Sequence, residues 1–247
     1  MKNILHISVL ITLPSLIAPV ALAGEFTVGA GAYKSQSPYT DYNDTSGGFP
    51  LINYQGEGWS LGESGASIDL IGDEDTAVKL SAALTLNRSG FDDADSTVFS
   101  GMKKRDNSVD LGLAVNYKLG SGSLRASLMG DVSSTHKGYL FDVNYSQGVA
   151  LLGGFFKPGI GLKIQSSGYT DYYYGVRPNE ATANRKAYSA DGAVNPYIEY
   201  SYSYPINDNI MLLQGANFTK LDTQIKDSSV VDRNNTWSTF VGIGYTF

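Results

Sequence analysis

The sequence predicts an all-β chain, an antiparallel transmembrane β-barrel of about twelve strands, with ten as the alternative count. Three observations carry that expectation. The last eleven residues alternate with period two: Trp237, Thr239, Val241, Ile243, Tyr245 and Phe247 share one face, and Ser238, Phe240, Gly242, Gly244 and Thr246 the other. At a rise near 3.3 Å per residue and a tilt near 45°, such a strand covers roughly 24 Å, the height of the apolar band of an outer-membrane barrel. Several interior segments repeat the alternation over about ten residues, longer than the usual strand of a soluble sheet. Finally, beyond residue 24 the longest apolar run is 149–156, far short of the ~20 residues a spanning helix needs.

The chain opens with a short basic stretch, Met1-Lys2-Asn3, and an apolar segment from Ile4 to Ala18 broken by Pro14. Ala21-Leu22-Ala23 then supplies small residues at cleavage spacing, so 1–23 reads as a secretory signal peptide and 24–247 as the barrel. No Cys is present, which excludes disulfides, thiolate metal sites and a lipid-modified cysteine. With 17 Tyr, 28 Gly and a mean hydropathy of −0.14, the composition suits an apolar exterior averaged with a polar lumen. The net charge of −6 argues against nucleic-acid binding, which calls for a basic footprint.

Strands are expected, in order, at 25–34, three short ones at 49–54, 57–62 and 65–71, then 77–87, 108–119, 123–133, 138–147, 149–166, 193–204, 209–221 and 237–247. A single strand across 49–71 would give ten. In 77–87, Val78, Leu80, Ala82, Leu84 and Leu86 oppose Lys79, Ser81, Thr85 and Asn87. In 108–119, Val109, Leu111, Leu113, Val115, Tyr117 and Leu119 oppose Asp110, Asn116 and Lys118. Segment 209–221 breaks the rule, because Gln214 shares a face with Ile210, Leu212 and Phe218. The long connections 35–48, 88–107, 168–192 and 222–235 fall at one end if 168–192 is a single loop. Turns such as Gly72 to Asp75, Gly120 to Gly122 and Pro205 to Asn209 fall at the other, the periplasmic end with both termini. The alternative, a periplasmic β-sandwich, would expose rows of Tyr, Leu and Val to water, an aggregation hazard. The location expected is the outer membrane of a Gram-negative bacterium.

Signals for chemistry are weak, and the chain is read as non-enzymatic, with no catalytic, metal or cofactor residues assigned. His136 is the one His after the leader, in the turn Ser134-Thr135-His136-Lys137 next to Ser133. A nucleophilic site also needs a third orienting group and an oxyanion pocket. Asp73-Glu74-Asp75 and Asp92-Asp93-Asp95 lack the spacing and glycine of a calcium loop and read as solvated charges. Lys103, Lys104 and Arg105 precede strand 108–119 on the outer side and are candidate contacts for lipopolysaccharide phosphates. The expected lumen set of Lys79, Asp110, Lys118, Arg125, Asp131 and Asp142 mixes both signs, which favours internal pairing over an open pathway. Val241, Ile243, Tyr245 and Phe247 are assigned as a barrel-assembly signal.

The run from Tyr169 through Tyr172-Tyr173-Tyr174-Gly175-Val176 to Glu180-Ala181 resembles the signature of the MipA/OmpV family of outer-membrane proteins. Lys157-Pro158-Gly159-Ile160-Gly161-Leu162 resembles that family's Pro-containing strand, and Gly242-Ile243-Gly244-Tyr245-Thr246-Phe247 its ending. A Tyr cluster at the membrane interface would read the same way. The resemblance implies a scaffold or interaction protein linking a lytic transglycosylase and a penicillin-binding protein in peptidoglycan assembly, with a surface adhesin or small porin as the alternative. It supplies no catalytic residues and leaves the oligomeric state open.

Overall fold

A computed structural model describes residues 24–247 apart from 64 and 74. The expected leader and Glu74 of the acidic run lie outside the described residues. Among the described residues, thirteen strands form one antiparallel sheet: β1 (Gly24–Ser35), β2 (Thr45–Gly56), β3 (Trp59–Gly62), β4 (Gly65–Ile71), β5 (Val78–Asn87), β6 (Ser108–Leu119), β7 (Gly122–Asp131), β8 (Tyr139–Gln147), β9 (Val149–Leu151), β10 (Gly154–Gln165), β11 (Ala193–Pro205), β12 (Ile210–Lys220) and β13 (Asn235–Thr246). β13 pairs with β1, with Thr27 opposite Thr246 and Ser35 opposite Ser238, so the sheet closes on itself. β8 and β9 lie along the same edge of β10 and form one stave, giving a ring of twelve. Among the described residues, no helix is long and apolar enough to cross a membrane.

The alternation sets the two faces of the wall. Leu128 is 51% exposed, Ile160 60% and Ile198 58%, all pointing away from the ring. Ser81, Asp110, Ala114 and Asn144 on the opposite faces are buried. Those outer rows are apolar and face away from the ring, and acyl chains are the solvent that suits them. Lys79, Asp110, Lys118, Arg125, Asp131 and Asp142 all fall on inward-facing positions of the ladders. Lys79 pairs with Asp69 at 3.6 Å, and Tyr197 Oη donates to Asp142 Oδ1 at 2.9 Å. Gln214 does face outward, and its Nε2 donates to the Tyr200 hydroxyl at 2.9 Å across the β11–β12 ladder. The polar group in the lipid-facing row is therefore paired. On the inner face, Gly31 leaves room for the ring of Phe49, since an added Cβ would sit 2.4 Å from Phe49 Cζ.

Two expectations shift. β2 starts at Thr45 rather than 49, so the first loop shortens to 36–44. Residues 45–53 of β2 pair only with β1, because β3 reaches no higher than Tyr54 opposite Leu61. Pro50 falls in that half-paired stretch, where a residue without an N–H is tolerated. The strand expected to rise from 149 instead rises from Gly154. Val149–Leu151 belongs to the descending stave, and the chain reverses at Leu152 and Gly153, with φ of 49° and 80°. Two successive positive φ values match a two-residue type I′ hairpin, an unusual place for Leu. Pro158, with no N–H to donate, lies on β10 opposite the interruption between β8 and β9.

Gly24, Phe247 and the turns 57–58, 72–77, 120–121, 152–153 and 206–209 occupy one end of the ring, and the loops 36–44, 88–107, 166–192 and 221–234 the other. The expected loop 168–192 carries no further stave. It holds a helix, α1 (Ser167–Tyr174), and a 3-10 turn at Pro178–Glu180.

Candidate functional site: a folded cap over the loop end

The largest buried apolar cluster lies in the loops rather than the wall. Tyr39, Phe91, Phe99, Met102, Val176, Ile225 and Val230 pack together, with Phe99, Ile225 and Val230 fully buried. Tyr39 comes from the β1–β2 loop, Phe91 and Phe99 from β5–β6, and Val176 from β10–β11. Those loops root on staves one and two, five and six, and nine and ten of the twelve, about a third of the circumference apart. Loops so spaced can share a core only by crossing the mouth. The fourth loop adds Ile225 from α2 (Thr223–Lys226) and Val230.

An ion pair pins this cap. Arg105 and Glu180 side chains are 1% and 2% exposed, and the guanidinium meets the carboxylate as a fork, Nη1 to Oε1 at 3.0 Å and Nη2 to Oε2 at 2.8 Å. Arg105 Nε also donates to the Tyr172 carbonyl at 2.7 Å, and Nη2 to the Gly175 carbonyl at 3.4 Å. Glu180 in turn accepts from the backbone N–H of Lys103 (3.0 Å) and Arg177 (3.1 Å). Burial alone would raise the Glu180 carboxyl. The hydrogen bonds from Arg105, Lys103 and Arg177, with the Arg105 charge, outweigh it and hold the group at about 2. Arg185, also buried, donates to the carbonyls of Glu180, Val98 and Ser100, tying the 3-10 turn to the neighbouring loop.

The Tyr-rich segment lies inside this construction. Helix α1 starts at a Ser166 cap, whose Oγ accepts from the Tyr169 N–H, and ends at Gly175. A Cβ at Gly175 would come 2.3 Å from the Asp171 carbonyl, so the tight exit requires glycine. Tyr172 Oη accepts from the Asp106 N–H at 2.9 Å, and Tyr173 Oη donates to the Asp106 carbonyl at 3.1 Å. Tyr39 Oη donates to the Tyr173 carbonyl at 3.1 Å, and Val176 pairs with Tyr188 in a short bridge. Burial raises the Tyr173 and Tyr174 hydroxyls above their ordinary range. Tyr172, Tyr173, Tyr174, Gly175, Val176 and Glu180 thus meet in one place, while Ala181 is exposed beside them. Tyr173 is fully buried in the cap, which replaces the reading of this run as a membrane-interface cluster.

Other expected residues separate. Of the basic triplet, Arg105 turns inward to Glu180, whereas Lys103 and Lys104 stay exposed, Lys104 within 3.2 Å of Asp106. His136 is buried. Its Nδ1 accepts from the Gly138 N–H at 3.0 Å, so the ring proton sits on Nε2, which donates to Asp110 Oδ1 at 3.2 Å. Ser133 bonds Asp131 and Thr135 instead, and no lone pair is left on the imidazole to act as a base. The same argument bears on a cation. Ligand atoms of Asp110, Asp131 and His136 lie within 4.8 Å of one another. However, Asp131 already accepts from the N–H groups of Ser133, His136 and Lys137, and the imidazole nitrogens are both engaged. Val241, Ile243 and Tyr245 face outward on β13.

The partnership of Arg105 with Glu180 spans 75 residues and has no local sequence signal. Arg185, whose partners Val98 and Ser100 lie 87 and 85 residues away, likewise has no local sequence signal.

Residues 28–247 match the family described as MltA-interacting protein MipA. The chain belongs to this family. It is 33% identical over 224 residues to the outer membrane protein OmpV of Vibrio cholerae, covering 91% of this chain and 87% of that one. Putative outer membrane protein YiaT of Escherichia coli K12 is 28% identical over 98% of both chains. The MltA-interacting protein of the same strain is 28% identical over 91% of both. Among solved structures, an outer membrane channel from Pseudomonas putida F1 covers 94% of this chain and 100% of that one at 12% identity. Its TM-score is 0.42. This member of the MipA family is an outer-membrane β-barrel protein of a Gram-negative bacterium, as its fold and its relatives' names agree.

Proposed function

We propose that this MipA-family barrel is a non-enzymatic interaction protein of the cell envelope, with its termini and short turns in the periplasm and its cap outside. One observation carries the reading: loops rooted around the whole ring close over the mouth with a buried core and a buried ion pair. A folded lid of this kind suits a binding platform better than an open pore. The committed imidazole of His136 supports the absence of hydrolytic chemistry.

Two partners on opposite sides suit such a protein. The name of the MltA-interacting relative supports a lytic transglycosylase as one partner, and the scaffold reading adds a penicillin-binding protein as the second in peptidoglycan assembly. That partner would read the turn end, where connections of two to six residues offer little area against the ~800 Å² per side of a standard interface. The cap offers far more surface and supports the adhesin alternative. Affinity capture of envelope proteins with the full barrel as bait separates them. Recovery of murein hydrolases and synthases sustains the scaffold, host matrix proteins sustain the adhesin, and capture of neither in a bait that remains folded rejects both.

A further inference from the structure

A recess of about 910 Å³ opens on the loop end above the β6–β8 wall, and cations dominate its rim. Lys103, Lys137 and Arg177 line it, exposed, together with Lys104. Two carboxylates share the lining, and both are engaged. Asp106 lies 3.2 Å from Lys104, and Asp171 Oδ1 accepts from the Ala190 N–H at 2.9 Å. Arg177 reaches Glu180 only at 3.7 Å, a carboxylate already forked by Arg105.

The main chain beneath each cation is fixed. The N–H groups of Lys103 and Arg177 donate to the same Glu180 carboxylate, which holds two loops side by side. The N–H of Lys137 donates to Asp131 Oδ2 at 2.8 Å, with φ of 54°. Three cations from three loops are thus aimed at one concavity by anchored backbone, so little ordering remains when an anion arrives. The opening is too large for one phosphate and suits a saccharide bearing several. Val132 and Tyr139, flanking the turn that carries Lys137, are 55% and 51% exposed on the lipid-facing wall. The recess is therefore continuous with the surface that acyl chains cover.

We propose that this recess binds the phosphorylated saccharide headgroup of a glycolipid in the surrounding outer leaflet, through Lys103, Lys137 and Arg177. The inference rests on the loop end facing outward, which protease accessibility on intact cells tests separately. Arg105 takes no part, because its fork serves Glu180. Several phosphates against several ammonium and guanidinium groups make charge-assisted contacts sensitive to salt.

The test is binding of purified lipopolysaccharide carrying its core and lipid phosphates to the full barrel in detergent, read by native mass spectrometry. Lys103→Gln/Lys137→Gln/Arg177→Gln should bind at least about 10-fold more weakly while keeping its folded gel mobility, three charge-assisted contacts being lost. The unsubstituted barrel should lose affinity similarly for phosphatase-treated lipopolysaccharide. Equal binding by the triple variant, or equal binding of the dephosphorylated lipid, overturns the proposal. If inorganic polyphosphate binds as tightly as lipopolysaccharide at equal phosphate, the ligand is a soluble polyanion and the glycolipid assignment falls. Should the triple variant not fold, Lys137→Gln alone and the dephosphorylated lipid decide between the same outcomes.

Discussion

Glu180→Gln isolates the pin of the cap. The substitution keeps size and shape but replaces one carboxylate oxygen with an NH2 and removes the charge that faces the buried Arg105 fork. The lowering of the Glu180 carboxyl from 4.5 to about 2 corresponds to about 3 kcal/mol favouring the folded cap. Breaking one side of a buried pair typically costs about 3–5 kcal/mol, which agrees. A loss of about 3 kcal/mol raises the population of the opened cap roughly a hundredfold. The assay is amide hydrogen exchange at Phe91, Arg105, Val176 and Tyr188, whose N–H groups close the two bridges inside the cap. Their exchange should accelerate about that much, while Leu113 and Leu128 in the β6–β7 ladder keep their protection. Unchanged exchange in the cap, or equal loss in the wall, would refute the reasoning.

Acid should act on the same pin. The folded value lies below the ordinary one, so the stabilisation is complete above about pH 4.5 and is lost as pH falls toward about 2. Tyrosine absorbance of the cap should therefore shift across that window, and much less in Glu180→Gln. On the wall, Leu113→Arg puts a charge on the lipid face and should destabilise the barrel by about 2–4 kcal/mol in denaturant unfolding in lipid. Asn116→Arg, on the lumen face of the same strand, should cost far less. Leu152→Asn relieves a non-glycine residue at φ 49° beside Gly153 and should stabilise the barrel by about 1 kcal/mol in the same unfolding assay.

Much of the wall is legible in the sequence for a simple physical reason. Strand β6 has hydrocarbon on one side and hydrated side chains on the other, so its residues must alternate from Val109 to Leu119. Where the wall departs from that condition, reading fails. Gly47 and Gly48 look like turn residues, yet they extend β2 because β1 supplies pairing partners in Tyr33 and Ala32. Leu152 carries no turn preference, so the reversal after β9 is invisible without the register of β10.

The candidate site is legible only in part. The Tyr run and Glu180 stand out together, but their place in the cap depends on Arg105, which looks locally like one member of a solvated basic run. Long-range pairing of a buried charge leaves no periodic trace. Similarly, Lys137 and Arg177 are far apart in sequence from Lys103, and only the anchored loops bring all three to one rim.

Whether the mouth is shut can be asked directly by recording planar bilayers containing the purified, folded barrel. The structure predicts no stable ohmic steps from the intact chain, with steps appearing once loop 88–107 is cut short and the shared core is lost. Steady conductance steps from the intact chain would contradict the cap as a closed platform, and with it the proposed role in binding.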